Sequence, residues 1–151
     1  MSAEHRAGPF RYAFRVRYAD TDQMGFAYYG NYLRWFEIGR AEMMRSLGLS
    51  YRQIEEEEHV WLPVLEAGCR YLKPARYDDL ITVETGVLEL HRASVRFAYR
   101  LVREEGGELL ALGHTEHCFL GRDGKPGRPS EELAALLRQA PAAPEGGSEA
   151  R

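Results

Sequence analysis

Two carboxylates one residue apart, Asp20 and Asp22, precede a turn that contains Gly25, and this turn leads into an amphipathic helix. A carboxylate in that place can act as a base or as a nucleophile. The first backbone N–H groups of a helix have no partner within the helix, so they can hold a carbonyl oxygen that gains negative charge. The combination suits attack on an acyl group. From these residues alone the alternative, in which both acids only cap the turn and stabilise the helix start, stays open.

A strand, a turn and a long helix must position these acids. From Phe10 to Tyr18 apolar and polar residues alternate, which predicts a strand with one buried face. A helix then runs up to Gly48, a residue type that favours helix ends. Gly39 lies on the apolar face of this helix and would let a strand approach closely. That face carries residues at helical spacing, namely Tyr32, Trp35, Phe36, Gly39, Met43 and Leu47.

The rest of the chain reads mainly as strands. Ser50–Gln53 has the pattern of a capping box and predicts a second helix, which the acidic run Glu55–Glu58 should keep short. Glu104–Gly107 predicts a hairpin turn, and Ser130 predicts the start of a last helix that ends at Gln139. The predicted strands after Pro63 are Val64–Leu72, Leu80–Leu90, Ala93–Leu101 and Leu109–Leu120.

This element order predicts an α+β fold, in which one antiparallel sheet of about five or six strands curls around a single long central helix. We expect a single domain over residues 1–140 and a disordered tail over 141–151, which lacks apolar periodicity. One helix covers only part of such a sheet. The remaining face and any open edge therefore predict contact with another subunit.

Composition narrows the class of protein. The chain has 151 residues and a net charge of −3, so no overall basic field indicates nucleic acid or an anionic membrane. Residues 1–10 lack the apolar segment of a signal peptide, and no run approaches the about 18 apolar residues of a membrane span. We therefore expect a cytoplasmic protein. Cys69 and Cys118 lie far apart in strand-like segments, so neither a disulfide framework nor a zinc site is predicted.

Several chemistries lack their signatures. No GxSxG motif, P-loop or GxGxxG fingerprint occurs in the chain. His114 and His117 are three positions apart on a predicted strand, so their side chains should point to opposite faces and cannot share one metal ion. No metal site is expected.

Two landmarks resemble one family, the hotdog-fold acyl-CoA thioesterases, and in particular the 4-hydroxybenzoyl-CoA thioesterase-like branch. The resemblance covers about Arg15 to Leu120. The first landmark comprises Arg17 to Asp22, Gly25, Tyr28, Asn31, Tyr32, Glu37, Arg40 and Glu42, and the second comprises Tyr71, Pro74, Tyr77 to Leu80 and Val83.

The resemblance implies roles for individual residues. Asp22 matches the catalytic carboxylate, whereas Asp20 is expected to hold the turn. Tyr29 matches the position whose backbone N–H polarises the thioester carbonyl, although many relatives carry histidine there. Gly25 would let the chain approach the substrate, and Tyr28 is a further candidate for substrate contact.

Three more positions are candidates for substrate binding. Glu37 could face an acyl pocket or pair with Arg40, one helical turn away. Arg92 and Ser94 lie where the family presents basic residues to the nucleotide of coenzyme A. Ala93 replaces one of those cations, so the contact could instead come from other arginines, namely Arg70, Arg76 or Arg96.

The predicted function is hydrolysis of an acyl-CoA or related thioester to the free acid and CoA. Asp22 would act as general base or as nucleophile, and no cofactor is needed because CoA is part of the substrate. The family further implies a homo-oligomer, at least a dimer and commonly a tetramer, with sites between subunits. The alternative is a hotdog module that binds acyl-CoA or a protein partner without hydrolysis. A hotdog dehydratase ranks last, because no histidine lies between Asp20 and Arg45.

Overall fold

The computed structural model describes residues 8–146. Five strands in this range form one antiparallel sheet, namely β1 Phe10–Arg15, β2 Val64–Tyr71, β3 Leu80–Leu90, β4 Ser94–Arg103 and β5 Glu108–Cys118. Their order in the sheet is β1-β3-β4-β5-β2. Because β1 and β2 lie at the two edges, each pairs with only one strand of the sheet.

The long helix α1, Asn31–Ser46, packs its predicted apolar face against this sheet. Trp35, Phe36 and Met43 on that face are almost fully buried. The close approach predicted at Gly39 is confirmed, since a Cβ atom there would lie 2.8 Å from Cγ2 of Val83 on β3. The α+β fold predicted from the sequence is therefore the fold observed.

The first strand is shorter than predicted. It ends at Arg15, and Tyr18–Asp20 forms a single 3-10 turn. The Asp20 carboxylate accepts a hydrogen bond from the Arg17 N–H at 2.9 Å, which turns the chain away from the sheet. The prediction of a buried Tyr18 is therefore wrong: this side chain is exposed and stacks on Tyr77 with 3.9 Å between ring centroids.

The second helix α2, Tyr51–Gln53, starts with the predicted capping box at Ser50 and continues as a π-helical turn over Ile54–Glu58. It lies next to Arg40 of α1. The Arg40 Nε donates to the Tyr51 hydroxyl at 2.9 Å, and its Nη1 donates to the Tyr99 hydroxyl at 3.0 Å. Arg40 thus binds two phenols and does not pair with Glu37.

The histidines of β5 point to opposite faces of the sheet, as predicted. The His114 ring contacts the Glu66 carboxylate at 2.8 Å, whereas the His117 ring contacts the Thr115 hydroxyl at 2.9 Å on the face that packs against α1. Both Cys69 and Cys118 are free thiols. Within residues 8–146, no helix is long and apolar enough to cross a bilayer.

The last helix α3, Glu131–Gln139, begins at the predicted cap Ser130. After it, residues 141–146 run along β3, where the Val87 N–H donates to Pro141 O at 2.9 Å and the Ala143 N–H donates to Val87 O at 3.2 Å. The described part of the predicted disordered tail is thus hydrogen-bonded to the sheet. Residues 147–151 and most of the amino-terminal segment, for which we predicted no signal peptide, lie outside the described residues.

Gly86 permits this docking of the C-terminal segment. A Cβ atom at Gly86 would lie only 2.1 Å from Ala142 O. We expect Gly86→Ala to displace residues 141–146 and to lower the free energy of unfolding by about 2 kcal/mol, the scale of overpacking, in urea titrations. The control Gly127→Ala places its Cβ in open space and should cost little.

A truncation after Ala140 separates the two causes of such a loss. If Gly86→Ala acts by displacing the C-terminal segment, its cost should largely vanish in the truncated chain. An undiminished cost there would show that the strain lies within the sheet itself.

Candidate active site

Asp22 opens a tight turn in front of α1. Its N–H donates to Phe26 O at 2.8 Å, and the Gly25 N–H donates back to Asp22 O at 3.1 Å. Gly25 has φ 83°, a left-handed conformation that favours glycine. One carboxylate oxygen of Asp22 accepts the Met24 N–H at 2.9 Å. Among the described residues no donor reaches the other oxygen, so this oxygen is available to a ligand.

Asp20 has a different environment and a structural role. It is only 5% exposed, and its carboxylate accepts hydrogen bonds from the Arg17 N–H at 2.9 Å and from Arg34 Nη2 at 2.8 Å. Its backbone carbonyl accepts the Tyr28 N–H at 2.7 Å and Asn31 Nδ2 at 2.8 Å. Asp20 therefore fastens the turn to the start of α1, and both of its carboxylate oxygens are engaged in this structural role.

The start of α1 carries unused backbone donors. Gly30 is the N-cap and provides no side-chain cap. Neither the Tyr29 N–H nor the Gly30 N–H has an acceptor within residues 8–146. Unpaired amides at a helix start favour a developing negative charge, as predicted for this position.

Asp22 and Tyr29 line the same cavity, of about 300 Å³. Tyr32 also lines the cavity, and its hydroxyl accepts the Ala75 N–H at 3.1 Å. The cavity is open to solvent. The lining residues are Asp22, Met24, Phe26, Ala27, Tyr29, Tyr32, Tyr71, Leu72, Lys73 and Pro74.

Other candidates from the sequence lie elsewhere in the protomer. Gly25 and Tyr28 flank this cavity along the chain without lining it, and the Tyr28 ring folds over Gly30. Glu37 lines a separate cavity of about 550 Å³ beside α1. Within one protomer, therefore, none of these three residues lines the cavity with Asp22.

Arg92 and Ser94 lie at the other end of the sheet. The cavity is at the Arg103 end of β4, because Arg103 Nη2 donates to Pro74 O at 2.7 Å. Ser94 begins the same strand, so it lies about 30 Å away at the rise of an extended chain. Arg92 precedes it in the turn between β3 and β4 and is exposed.

Among the alternative arginines, Arg76 is the best placed. Its guanidinium stacks over the Phe26 ring at 5.5 Å and has no carboxylate partner in the described part of the chain. Arg96, in contrast, is buried and donates to Glu116 at 3.2 Å, so it cannot reach a ligand in this cavity. Arg76 therefore offers a free cation next to the site.

Sequence reasoning missed the role of Tyr71, the β2 residue that lines the cavity. Tyr71 was part of a landmark without a role, yet its hydroxyl donates to Tyr29 O at 2.8 Å. Cys69 lies beside it, and burial raises the pKa of the Cys69 thiol to about 11, so this thiol is a poor nucleophile. Alternation along β2 puts both residues on one face, a signal that was readable in the sequence.

Comparison with known proteins gives consistent results. The sequence profile of the thioesterase superfamily matches residues 24–110. The acyl-CoA thioesterase YbgC of Haemophilus influenzae is 37% identical over 94 residues, which cover 62% of this chain and 69% of that protein. The 1,4-dihydroxy-2-naphthoyl-CoA hydrolase of Thermosynechococcus vestitus is 30% identical over 131 residues, 86% of this chain and 89% of that protein. The crystal structure of a DHNA-CoA thioesterase from Staphylococcus aureus has a TM-score of 0.78 and 32% identity, covering 85% of this chain and 86% of that one.

The chain therefore belongs to the thioesterase superfamily and has its hotdog fold. The family resemblance stated from the two landmarks is confirmed. The protein is a thioester hydrolase, and the cavity that Asp22 and Tyr29 line is the candidate for its active site.

Proposed function

We propose that this protein hydrolyses an acyl-CoA, releasing the free acid and CoA, at the cavity lined by Asp22 and Tyr29. The observation that carries the proposal is that Asp22, which has one carboxylate oxygen without a donor, lines the same cavity as Tyr29, whose backbone N–H has no acceptor among the described residues. The relatives of known name act on acyl-CoA substrates, which supports CoA as the leaving group.

Asp22 can drive the reaction in two ways. As a base it takes a proton from water while the water oxygen bonds to the thioester carbon, and the collapse of the resulting oxyanion expels the CoA thiolate, which then takes up a proton. As a nucleophile it forms a mixed anhydride and releases the thiolate, after which water cleaves the anhydride. In both routes the Tyr29 N–H stabilises the negative oxygen. A single turnover in ¹⁸O-water that labels Asp22 would identify the anhydride route, because water can label this carboxylate only by attacking the Asp22 carbon of an anhydride.

The proposed site needs a second protomer for the nucleotide end of CoA. β2 is an edge strand, and apolar side chains near its two ends are exposed, including Val64, Leu65 and Leu72. If two copies of β2 pair antiparallel about a two-fold axis, every strand of the partner's sheet runs opposite to the same strand of the first protomer. The partner's turn between β3 and β4, with its copies of Arg92 and Ser94, would then come to the same side as Asp22 of the first protomer.

We therefore propose a homodimer joined through β2 as the active unit, with a tetramer as its further assembly. Arg76 of the same protomer and Arg92 of the other would serve the phosphates of CoA, for which arginine is well suited. A cytoplasmic site of action stays a prediction.

A subunit-mixing experiment tests the shared site. Asp22→Asn and Arg92→Ala protomers are each expected to have low kcat/KM alone. When the two chains are produced together in equal amounts, half of the dimers are mixed, and each mixed dimer has one site with both wild-type groups, so about a quarter of wild-type kcat/KM should return. The assay runs at acyl-CoA concentrations below KM.

A site contained within one protomer would give no recovery, because every site would then lack one of the two groups. Full activity of Arg92→Ala alone would remove Arg92 from substrate binding.

A screen of thiol release over short, long and aromatic acyl-CoAs identifies the acyl group. Thermal protection by acyl-CoA without thiol release would instead favour a non-catalytic binding module.

A further inference from the structure

The Tyr29 carbonyl has an unusual anchor for a residue at the start of a helix. It accepts the hydroxyl of Tyr71 at 2.8 Å and the N–H of Tyr32 at 3.2 Å. Tyr71 is the last residue of β2 and lies 42 positions further along the chain. A side chain of the edge strand thus holds the backbone of the segment that precedes α1.

The Tyr71 phenol is itself fixed in place. Its ring packs edge-on against the Tyr32 ring, with 4.8 Å between centroids, and Tyr32 is tied to the loop after β2 through the Ala75 N–H. In the sheet, Tyr71 pairs with Ala111 of β5. Tyr71 is 45% exposed, and partial desolvation raises the pKa of its hydroxyl, so this group stays a neutral donor across the physiological range.

Two anchors therefore bracket the unpaired Tyr29 N–H. On one side the Tyr28 N–H donates to Asp20 O at 2.7 Å, and on the other side the Tyr29 carbonyl is held by Tyr71. With both neighbouring peptide groups restrained, the backbone dihedrals of Tyr29 are restrained as well. The peptide plane that carries the Tyr29 N–H is also held at its Tyr28 carbonyl, which accepts the Asn31 N–H at 3.0 Å, and the Tyr71 hydrogen bond adds a second restraint on the direction of this N–H.

We propose that Tyr71 is a positioning residue, which aims the Tyr29 N–H at the thioester carbonyl by binding the Tyr29 carbonyl. This inference rests on the proposed function, in which the Tyr29 N–H stabilises the oxyanion. An amide that is already oriented needs no rearrangement as negative charge develops on the carbonyl oxygen. The amide therefore stabilises the transition state more than it stabilises the bound substrate.

The test variant is Tyr71→Phe, which keeps the ring and removes only the donor. We expect kcat to fall about tenfold, less than the loss of an oxyanion donor itself, while KM stays within about twofold. In ¹⁵N relaxation measurements the order parameter of the Tyr29 N–H should fall, whereas that of amides in β4 should not change. Tyr12→Phe removes a hydroxyl from the opposite edge strand and should leave both quantities unchanged.

The outcomes separate this inference from the function on which it rests. Wild-type kcat in Tyr71→Phe, or an unchanged Tyr29 order parameter, would overturn the positioning role even in a fully active enzyme. A rise in KM at constant kcat would overturn it as well, because it would make Tyr71 a ground-state contact. A wild-type protein without thiol release would overturn the proposed function, while the relaxation measurement would still report whether Tyr71 restrains Tyr29.

Discussion

Replacing Asp22 by asparagine is expected to lower thioester turnover at least about a hundredfold, the usual scale for loss of a catalytic base. Asparagine can still accept the Met24 N–H, which Asp22 binds at 2.9 Å, so the turn should keep its shape. It can neither take a proton from water nor form an anhydride. We therefore expect kcat to collapse while Tm stays close to that of the wild type, as measured by thiol release and thermal unfolding.

Asp20→Asn is the matched control, two residues away and identical in chemistry. Asp20 is buried, and its carboxylate binds Arg17 N–H and Arg34. Since Arg34 is more than half exposed, the loss of charge should not leave a buried cation behind, and a cost of about 2 kcal/mol is expected from the weakened hydrogen bonds. Asp20→Asn should thus lower the free energy of unfolding more than Asp22→Asn does, and it should lower turnover less.

The pair of variants can contradict the assignment directly. If Asp22→Asn keeps wild-type turnover, Asp22 has no part in the chemistry. If Asp20→Asn instead loses all turnover at full stability, the roles of the two acids are reversed. The structure argues for the first assignment because only Asp22 has a carboxylate oxygen without a donor among the described residues.

Most helices and strands could be predicted from the sequence, because local residue patterns specify them. β3 was predicted at its observed bounds, Leu80–Leu90, since β-branched residues and flanking turns mark it clearly. The end of α1 was predicted from Gly48, which has φ 90°. The end of β1 was missed, because the 3-10 turn depends on a hydrogen bond from Arg17 to the Asp20 side chain that periodicity does not reveal.

The candidate site was only partly readable for the same reason. Asp22 and Tyr29 are close in sequence, so a motif could bring them together. Tyr71, by contrast, reaches Tyr29 across 42 positions, and Arg92 lies at the far end of the sheet. Contacts between residues that are distant in sequence depend on the order of the strands and on how protomers associate. Local residue patterns constrain both only weakly.

A buried chain of hydrogen bonds ends at His117 and fixes its protonation. Arg40 can only donate, and its Nη1 donates to the Tyr99 hydroxyl at 3.0 Å. Tyr99 then donates to Thr115 Oγ1 at 2.6 Å, and Thr115 donates to His117 Nε2 at 2.9 Å. The remaining His117 N–H, at Nδ1, donates to Leu62 O at 3.0 Å. This order of donors assigns a neutral imidazole with its proton on Nδ1.

Protonation of His117 would break that order. A second proton on Nε2 would face the Thr115 hydroxyl, which already serves Tyr99, and would add a positive charge near Arg40. Accordingly, burial and the Arg40 charge lower the pKa of His117 to about 4. In the unfolded chain the pKa of histidine returns to about 6.5, so the unfolded state binds more protons between these two values.

Folding stability should therefore rise with pH from about 4 to about 6.5, and the His117 contribution should be complete above that range. The shift corresponds to about 3 kcal/mol lost on going from neutral pH to pH 4. His117→Gln removes the titrating group, so it should lower stability at pH 7 and flatten the dependence between pH 4.5 and 6.5 by most of this amount. Urea unfolding at a series of pH values, at constant protein concentration, measures the difference in slope.

His91→Gln is the matched substitution for this measurement, since the His91 ring is exposed and contacts Glu89 at 3.0 Å. Comparing the two variants shows whether a loss of slope is specific to the buried histidine. An equal slope in wild type and His117→Gln would mean that His117 takes up its proton in the folded state without loss. The hydrogen bonds between Arg40 and His117 would then reverse their donors and acceptors at little cost. In that case the Arg40 guanidinium would not orient the Tyr99 hydroxyl, the Thr115 hydroxyl and the His117 imidazole.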